Sequence, residues 1–431
     1  MSKNNDKNLP SRKVMARQSK IWDVIIIGGG ASGMMAGAVA GARSLSVLVL
    51  DKNNNLGEKL KITGGGRCNI TNNEPDIHRL LKVYGENASL LYTPFSIFGV
   101  KDTFKYFESR GLPLVVQARN RVFPSTEKAL DVFNVLNKEL IKNNVVIKTG
   151  CTVNGFIHAD GNKIINVNTN QGQFYAKSFI LATGGMSHPE TGSTGDGFNF
   201  LNDLGHSVSP STPDIVPIAV KENWVKKLSG TSLSFMKITF YLNNKKAFSK
   251  TGKILFTHFG LSGPLILNSA KSIKALLDKG EVTATIDAYP DTTIGDLEKK
   301  IIKIFDANKN KILKTTIKEF VPEGMHHAVE DLMMNFIDTN IKVHSVIKED
   351  RRKIVDLLKA LPLSVEGLMG YDRSVVVDGG VDASEIDMKT MRSKLFSNLF
   401  VTGDLLHFNR NSGGYSLQIC WTTGYIAGMS V

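Results

Sequence analysis

Two glycine-rich stretches hold residue types and spacings that could do chemistry. The first, DVIIIGGGASGMMAGAVAGARSLSVLVLDK, places Gly28, Gly30 and Gly33 directly after an apolar run, Val24–Ile27, and ends a second apolar run with Asp51. Continuous apolar runs of this kind suit strands buried on both faces, and the small residues between them suit a helix reaching about Ala42. In G-x-G-x-x-G the glycines allow a tight turn, close backbone approach to a pyrophosphate and close packing of helix on strand. The helix N-terminus then faces the phosphates. Asp51 stands where a carboxylate can bind ribose hydroxyls. The triplet alone is a weak signal; with the strand, the helix and the acidic residue it reads as a dinucleotide site.

The second stretch, ITGGGRCNITN (Ile62–Asn72), sets three glycines beside Arg67 and Cys68. One reading is an ordinary loop. The other is backbone lying against a flat cofactor, with Arg67 and Cys68 at its reactive face. A thiol is mostly protonated at neutral pH and could act as an acid, while Arg67 could stabilise developing negative charge. Against this, small buried cysteines are common, and Arg67 could simply bind phosphate or backbone. His188 in GGMSHPETGSTGDG and His258 in FTHFGLSG lie in glycine-rich loops and titrate in a useful range, although loop histidines are often structural. Tyr415 in GGYSLQ could donate a phenolic hydrogen bond or only pack. No nucleophile triad, P-loop or metal cluster is evident.

Later segments favour FAD over a nicotinamide as the resident cofactor. SFILATGG (Ser178–Gly185) is another buried strand ending in small residues, and LFVTGDLL (Leu399–Leu406) places Gly403 and Asp404 after a strand. In FAD proteins of this fold such a late aspartate commonly meets the ribityl chain. NSGGYSLQICWTTGYIAG then reads as a glycine-rich loop entering a helix. The candidate cofactor residues are Gly28, Gly30, Ser32, Gly33, Asp51, Lys52, Arg67, Cys68, Val153, Gly184, Gly403, Asp404, Gly414, Tyr415 and Leu417. No second G-x-G-x-x-G follows a strand, so NAD(P)H is expected only as a transient reductant.

At 431 residues the chain suits two or three domains. No run of eighteen apolar residues suggests a membrane span. Residues 1–20 carry six basic side chains and one acidic, reading as a disordered basic tail without the apolar core of a secretory signal. Cys68, Cys151 and Cys420 form neither a disulfide framework nor a zinc pattern. The expectation is a cytoplasmic protein. The net charge of +13 is unevenly spread: Lys221–Lys253 holds eight lysines against one glutamate, and Lys299–Lys318 seven against one aspartate. Such patches suit a polyanion, although lysine-rich surfaces also arise without a ligand. Lys226, Lys227, Lys245 and Lys246 are the candidate RNA contacts. Trp224, Phe235, Phe240, Tyr241 and Phe248 interleave with the lysines and could stack on bases, with barrel-core packing the commoner role for such residues.

In order, GGGASG, KLKITGGGRCNITN, RVFPSTEKALDV, ATGGMSHPETGSTGDG, ILFTHFGLSGPLILNSA, GGVDASEIDMKTMRSK and GGYSLQ resemble a bacterial family of NAD(P)/FAD-dependent oxidoreductases, also called aminoacetone-oxidase-family or BaiN/RdsA-like flavoproteins. The resemblance spans roughly residues 21–431. It implies an α/β fold, a Rossmann-like FAD-binding domain split in sequence by an inserted β-barrel part and an α-helical part. The expected divisions are 21–205 and 365–431 for the FAD domain, 206–290 for the barrel and 291–364 for the helices. Alternating runs such as MKITFYL and helix-like runs such as DLEKKIIKIF agree. The family often has a glutamate at the Asp404 position and a more acidic loop than His407–Asn411, so His407 and Arg410 could alter the flavin's surroundings, with exposure their default.

The resemblance also implies reduction of activated carbon–carbon double bonds. One branch is similar to reductases of steroid-type enones, another to flavoenzymes that reduce uridine to dihydrouridine in large-subunit ribosomal RNA. The basic insert favours the RNA branch. A small-molecule flavin oxidoreductase, acting on an enone or an amine, and a non-catalytic FAD-containing RNA-binding protein are the alternatives.

Overall fold

A computed structural model describes residues 20–159 and 162–431, so the expected basic tail lies outside the described residues but for Lys20. The chain forms two compact units. Unit 1 holds the described residues up to Gly185 together with Thr191–Pro210 and Gly379–Val431, and unit 2 holds Met186–Glu190 and Ser211–Asp378.

Unit 1 is built around β1 (Ile21–Ile27), α1 (Ala31–Ala42), β2 (Val47–Leu50), α2 (Ala129–Lys142), β3 (Val146–Lys148), β4 (Gly172–Leu181), β5 (Leu399–Val401) and α3 (Tyr415–Ser430). The strands run parallel in the order β5–β4–β1–β2–β3 at the centre of a nine-stranded sheet. Val24–Ile27 and all of β2 are buried, as their unbroken apolar runs require.

Helices α1 and α3 have buried residues all around, so neither can use an apolar stripe to choose its partner. Small residues choose instead. A Cβ on Gly424 would stand 2.4 Å from the Ser32 carbonyl oxygen, and one on Gly428 2.6 Å from that of Ala36. The two backbones therefore touch. The pairs Ser32–Gly424 and Ala36–Gly428 advance in the same direction, so the helices run parallel. Extending that register, α3 starts about eight residues ahead of α1, roughly 12 Å at the helical rise.

Unit 2 contains a closed six-stranded antiparallel barrel in the order Ile218–Val220, Gly260–Ser262, Lys245–Phe256, Ser232–Leu242, Val282–Asp287, Leu361–Leu368. Helices Ile294–Ala307, Leu313–Thr316, His326–Met333 and Lys348–Lys359 are inserted before its last strand and share its core, Phe240, Phe256 and Ile286 joining Leu297, Ile301 and Ile354. The expected boundary at 364 falls inside Leu361–Leu368, because the barrel closes only when that strand returns from beyond the helices. The expected start at 206 also moves. His206 is buried in unit 1, where its ring nitrogens meet Glu385 Oε2 at 2.7 Å and Ser393 Oγ at 2.8 Å. Of the interleaved aromatics, Trp224 and Phe240 fill the core, Tyr241 and Phe248 are half-buried, and Phe235 is 72% exposed.

The helix contact predicts that Gly424→Ala, adding one methyl against backbone, destabilises the protein by about 1–3 kcal/mol. Thermal unfolding would report a midpoint lower by several degrees. An unchanged midpoint would mean that the backbones part without cost.

Candidate functional site

The turn after β1 has the geometry its glycines imply. Gly28 has φ +100°, and a Cβ there would lie 2.5 Å from the Ala182 carbonyl oxygen. A Cβ on Gly33 would lie 1.9 Å from the Gly28 oxygen. Gly30, the N-cap of α1, is different: no atom lies within 4 Å of its Cβ position. Open ground thus faces the free amides of the helix's first turn, where an anion is stabilised. Asp51 is buried, and its Oδ2 accepts from Gly29 N at 2.7 Å and its Oδ1 from Asn53 N at 2.8 Å. Burial raises its carboxyl pKa, and those two amides oppose the rise. Lys52 pairs with Asp196 at 2.7 Å. Cys151 N donates to the Asp51 carbonyl at 2.9 Å, and buried Val153 follows two residues later. Gly184 has φ +74° and closes the turn after β4 near Ser193 and Lys59.

The other end of the site gathers at the start of α3. Gly403 has φ +67°, donates to Thr423 Oγ1 at 2.9 Å, and leaves only 2.8 Å between its Cβ position and Ser32 Oγ. Thr402 Oγ1 donates to Ser32 Oγ at 3.2 Å. Arg410 was expected on the surface and is instead 4% exposed. Its Nη2 donates to Asp404 Oδ1 at 2.7 Å, its Nη1 to the Phe408 carbonyl at 2.7 Å and its Nε to Ser416 Oγ at 3.1 Å. One planar fork thus ties the Gly–Asp turn to the first turn of α3. The sequence places Arg410 near the flavin but at the surface; its burial between two glycine-bearing turns is what the structure adds. Tyr415 and Leu417 are half-buried in that helical turn, with the Tyr415 ring edge-on to Tyr84 at 6.1 Å. Burial raises the Tyr415 phenol pKa, so it stays protonated.

The Ile62–Asn72 stretch is stapled to the same helix. A Cβ on Gly414, at φ +99°, would lie 2.3 Å from the Thr71 carbonyl oxygen. Thr71 Oγ1 donates to Gln418 Oε1 at 2.6 Å, and Trp421 Nε1 to the Ile70 carbonyl at 2.9 Å. Gly64, Gly65 and Gly66 are exposed, all with positive φ. Cys68 shares that conformation at φ +59° but is wholly buried. Burial pushes its thiol up to about 12, against a smaller opposing effect of a side-chain hydrogen bond with Thr63. Arg67 stacks on Phe123 at 4.3 Å, donates to Gln117 Oε1 at 2.8 Å and pairs with Glu127, while its buried Nε has no partner.

Unit 1 therefore brings together Gly28, Gly30, Ser32, Gly33, Asp51, Gly403, Asp404, Gly414 and Tyr415 around two helix N-termini. His188 and His258 belong to unit 2. His188 Nδ1 meets Glu190 Oε1 at 2.8 Å, and His258 is exposed with its ring edge-on to Phe259 at 4.9 Å. Lys227 pairs with Asp331, Lys226 is half-buried, and Lys245 and Lys246 are exposed. Among the described residues no helix is long and apolar enough to cross a membrane, and no His, Cys, Asp or Glu group suits a metal ion.

Compared with known proteins, the family described as HI0933-like protein Rossmann domain matches residues 22–430. The chain belongs to this HI0933-like Rossmann family. It is accordingly an FAD-dependent oxidoreductase. It is 30% identical over 419 residues to a 3-dehydro-bile acid delta(4,6)-reductase of Clostridium scindens, covering 94% of this chain and 97% of the relative. It is 26% identical over 406 residues to a ribosomal RNA dihydrouridine synthase of Escherichia coli, covering 94% and 96%. Among solved structures it is similar in fold to a flavocytochrome c3 fumarate reductase, with a TM-score of 0.53 and 15% identity over 99% of this chain and 82% of that one. A 3-ketosteroid-delta4-(5alpha)-dehydrogenase from Rhodococcus jostii RHA1 gives 0.51 and 12% over 97% and 98%. The HI0933-like site fits FAD on its own geometry: the open ground at Gly30, the anchored Asp51 and the Arg410-braced Asp404 are donor and acceptor sets a dinucleotide can use.

The buried thiol predicts that iodoacetamide at pH 8 leaves Cys68 unmodified in the native protein and alkylates it after denaturation, as read by peptide mass spectrometry. Because the folded pKa of about 12 exceeds the ordinary value of 9.0, the stability this group contributes is full below pH 9 and lost as pH rises toward 12. Rapid native labelling would contradict the burial.

Proposed function

We propose that this protein reduces a uridine of large-subunit ribosomal RNA to dihydrouridine, with NAD(P)H as the electron source. The observation that carries the RNA reading is charge. From Asn223 to Leu277 the chain has nine lysines and neither aspartate nor glutamate, and Lys245, Lys246, Lys250 and Lys253 are exposed on the barrel. A polyanion repays such a surface through counterion release; a small substrate with a single carboxylate does not need it.

The chemistry is shared by the two named relatives, since uracil and a 3-dehydro-bile acid unsaturated at Δ4,6 each carry a double bond conjugated with a carbonyl. In uracil, hydride adds at C6, negative charge collects on O4, and C5 then takes a proton. Bound FAD, once reduced, supplies the hydride. The protein's part is to hold and polarise. The Gly28–Gly33 turn and the first amides of α1 would hold the pyrophosphate, Asp51 the adenosine ribose and Asp404, braced by Arg410, the ribityl hydroxyls. Ser32, Lys52, Val153, Gly184, Gly403, Tyr415 and Leu417 complete the cofactor wall. The free amides of α3's first turn, beyond Gly414, stabilise negative charge at the reacting end. Cys68 holds its loop rather than giving a proton, because it has no exposure through which to give one, and Arg67 stays with that loop.

A second reading, reduction of a steroid-type enone, is favoured by identity: 30% to the bile acid reductase against 26% to the RNA enzyme.

Mass spectrometry of ribosomal RNA nucleosides, with and without the gene, separates the two. Deletion is expected to remove a dihydrouridine that the wild-type gene restores and a Lys245→Gln/Lys246→Gln variant restores less completely. An unchanged dihydrouridine inventory would sink the RNA reading and favour the enone.

A further inference from the structure

Phe235 is the feature of unit 2 that packing leaves unexplained. It is 72% exposed and has φ +59°, a conformation that strains a bulky side chain. The strand register explains how it arises. Leu233 faces Ile254 and Met236 faces Gly252, so Ser234 and Phe235 together oppose the single residue Lys253. This β-bulge resets the alternation, keeping Met236, Ile238 and Phe240 in the core and leaving an extra residue outside. Serine or asparagine would fill an exposed position of this conformation at lower cost, without setting an apolar ring in water.

The ring's surroundings are cationic. Lys253, opposite the bulge, is exposed, and Lys237 faces outward on the same strand. The cross-strand neighbour of Lys237 is Asp287, whose carboxylate is engaged by Lys359 at 2.8 Å. Neither Ser232–Leu242 nor Lys245–Phe256 carries an acidic residue. An exposed aromatic face among lysines on a sheet is the arrangement that binds single-stranded nucleic acid, the ring stacking on a base while the ammonium groups meet phosphates.

We propose that Phe235 is a base-stacking platform for a single-stranded segment of RNA, with Lys253 and Lys237 as its phosphate contacts. The proposal rests on the RNA reading above and adds to it the strandedness of the substrate and the residue that senses it.

The test is fluorescence anisotropy of the full, FAD-loaded chain with an oligouridylate of about 12 nucleotides and with a duplex of equal length, at fixed salt. Flavin absorbance checks that each variant is folded and loaded. Wild-type protein is expected to prefer the single strand. Phe235→Ala and Phe235→Leu should each weaken that binding by about tenfold, within the range of a lost stacking contact, while Phe235→Tyr and Phe235→Trp retain it. Leucine separates stacking from general apolar contact. Wild-type affinity in Phe235→Ala, or equal affinity of wild-type protein for the duplex, would overturn the platform and leave the RNA reading standing. Wild-type protein that binds neither RNA would overturn both. A Phe235→Ala defect confined to anionic phospholipid vesicles would make the ring a membrane anchor and refute the proposal.

Discussion

The contact between α1 and α3 is the constraint from which the site follows. Helices that meet through Gly424 against Ser32 and Gly428 against Ala36 approach closely and in one register. That register sets the start of α3 roughly 12 Å beyond the start of α1. Two sets of first-turn amides, which have no partner within their own helix, then point the same way at different depths, one beside the dinucleotide turn and one beside Thr71 and Gly414. An extended cofactor with an anionic middle and a polar reactive end matches two such stations. A side chain at either glycine would part the helices and separate the stations.

Around that pair, buried polar groups fix the loops that neither helix could hold alone. Arg410 satisfies Asp404, Phe408 and Ser416 together, and Thr71 with Gln418 pins the glycine–arginine–cysteine stretch to α3. Their satisfied geometry makes them positioning devices, since a half-satisfied buried charge costs more than an apolar core. Unit 2 answers a different demand. Its core is continuous through barrel and helices, and its barrel surface carries exposed lysines such as Lys245, Lys246 and Lys253.

Legibility in the sequence followed the range of the interactions. The β1–α1–β2 unit was readable because its determinants, the apolar runs, the three glycines and Asp51, lie within thirty residues of one another. The Gly–Asp turn and the glycine loop before α3 were readable for the same reason. Cys68 was ambiguous because a thiol beside glycines looks alike whether it faces a cofactor or a core, and only burial separates the two. Arg410 was misjudged because its partners become neighbours only once Asp404 and Ser416 are folded around it. The barrel's last strand hid beyond the inserted helices, a closure that no local pattern records. Phe235 hid inside an alternating run, since a bulge shifts the alternation without changing the residue types.

The central claim, that uridine in RNA is what the reduced flavin serves, is tested most directly by anaerobic stopped-flow absorbance. FAD-loaded enzyme reduced with dithionite would be mixed with an unmodified large-subunit ribosomal RNA fragment or with a 3-oxo Δ4 steroid. The RNA is expected to restore oxidised-flavin absorbance and gain dihydrouridine in equal amount, with no competition from the steroid. Reoxidation by the steroid with none by the RNA would contradict it.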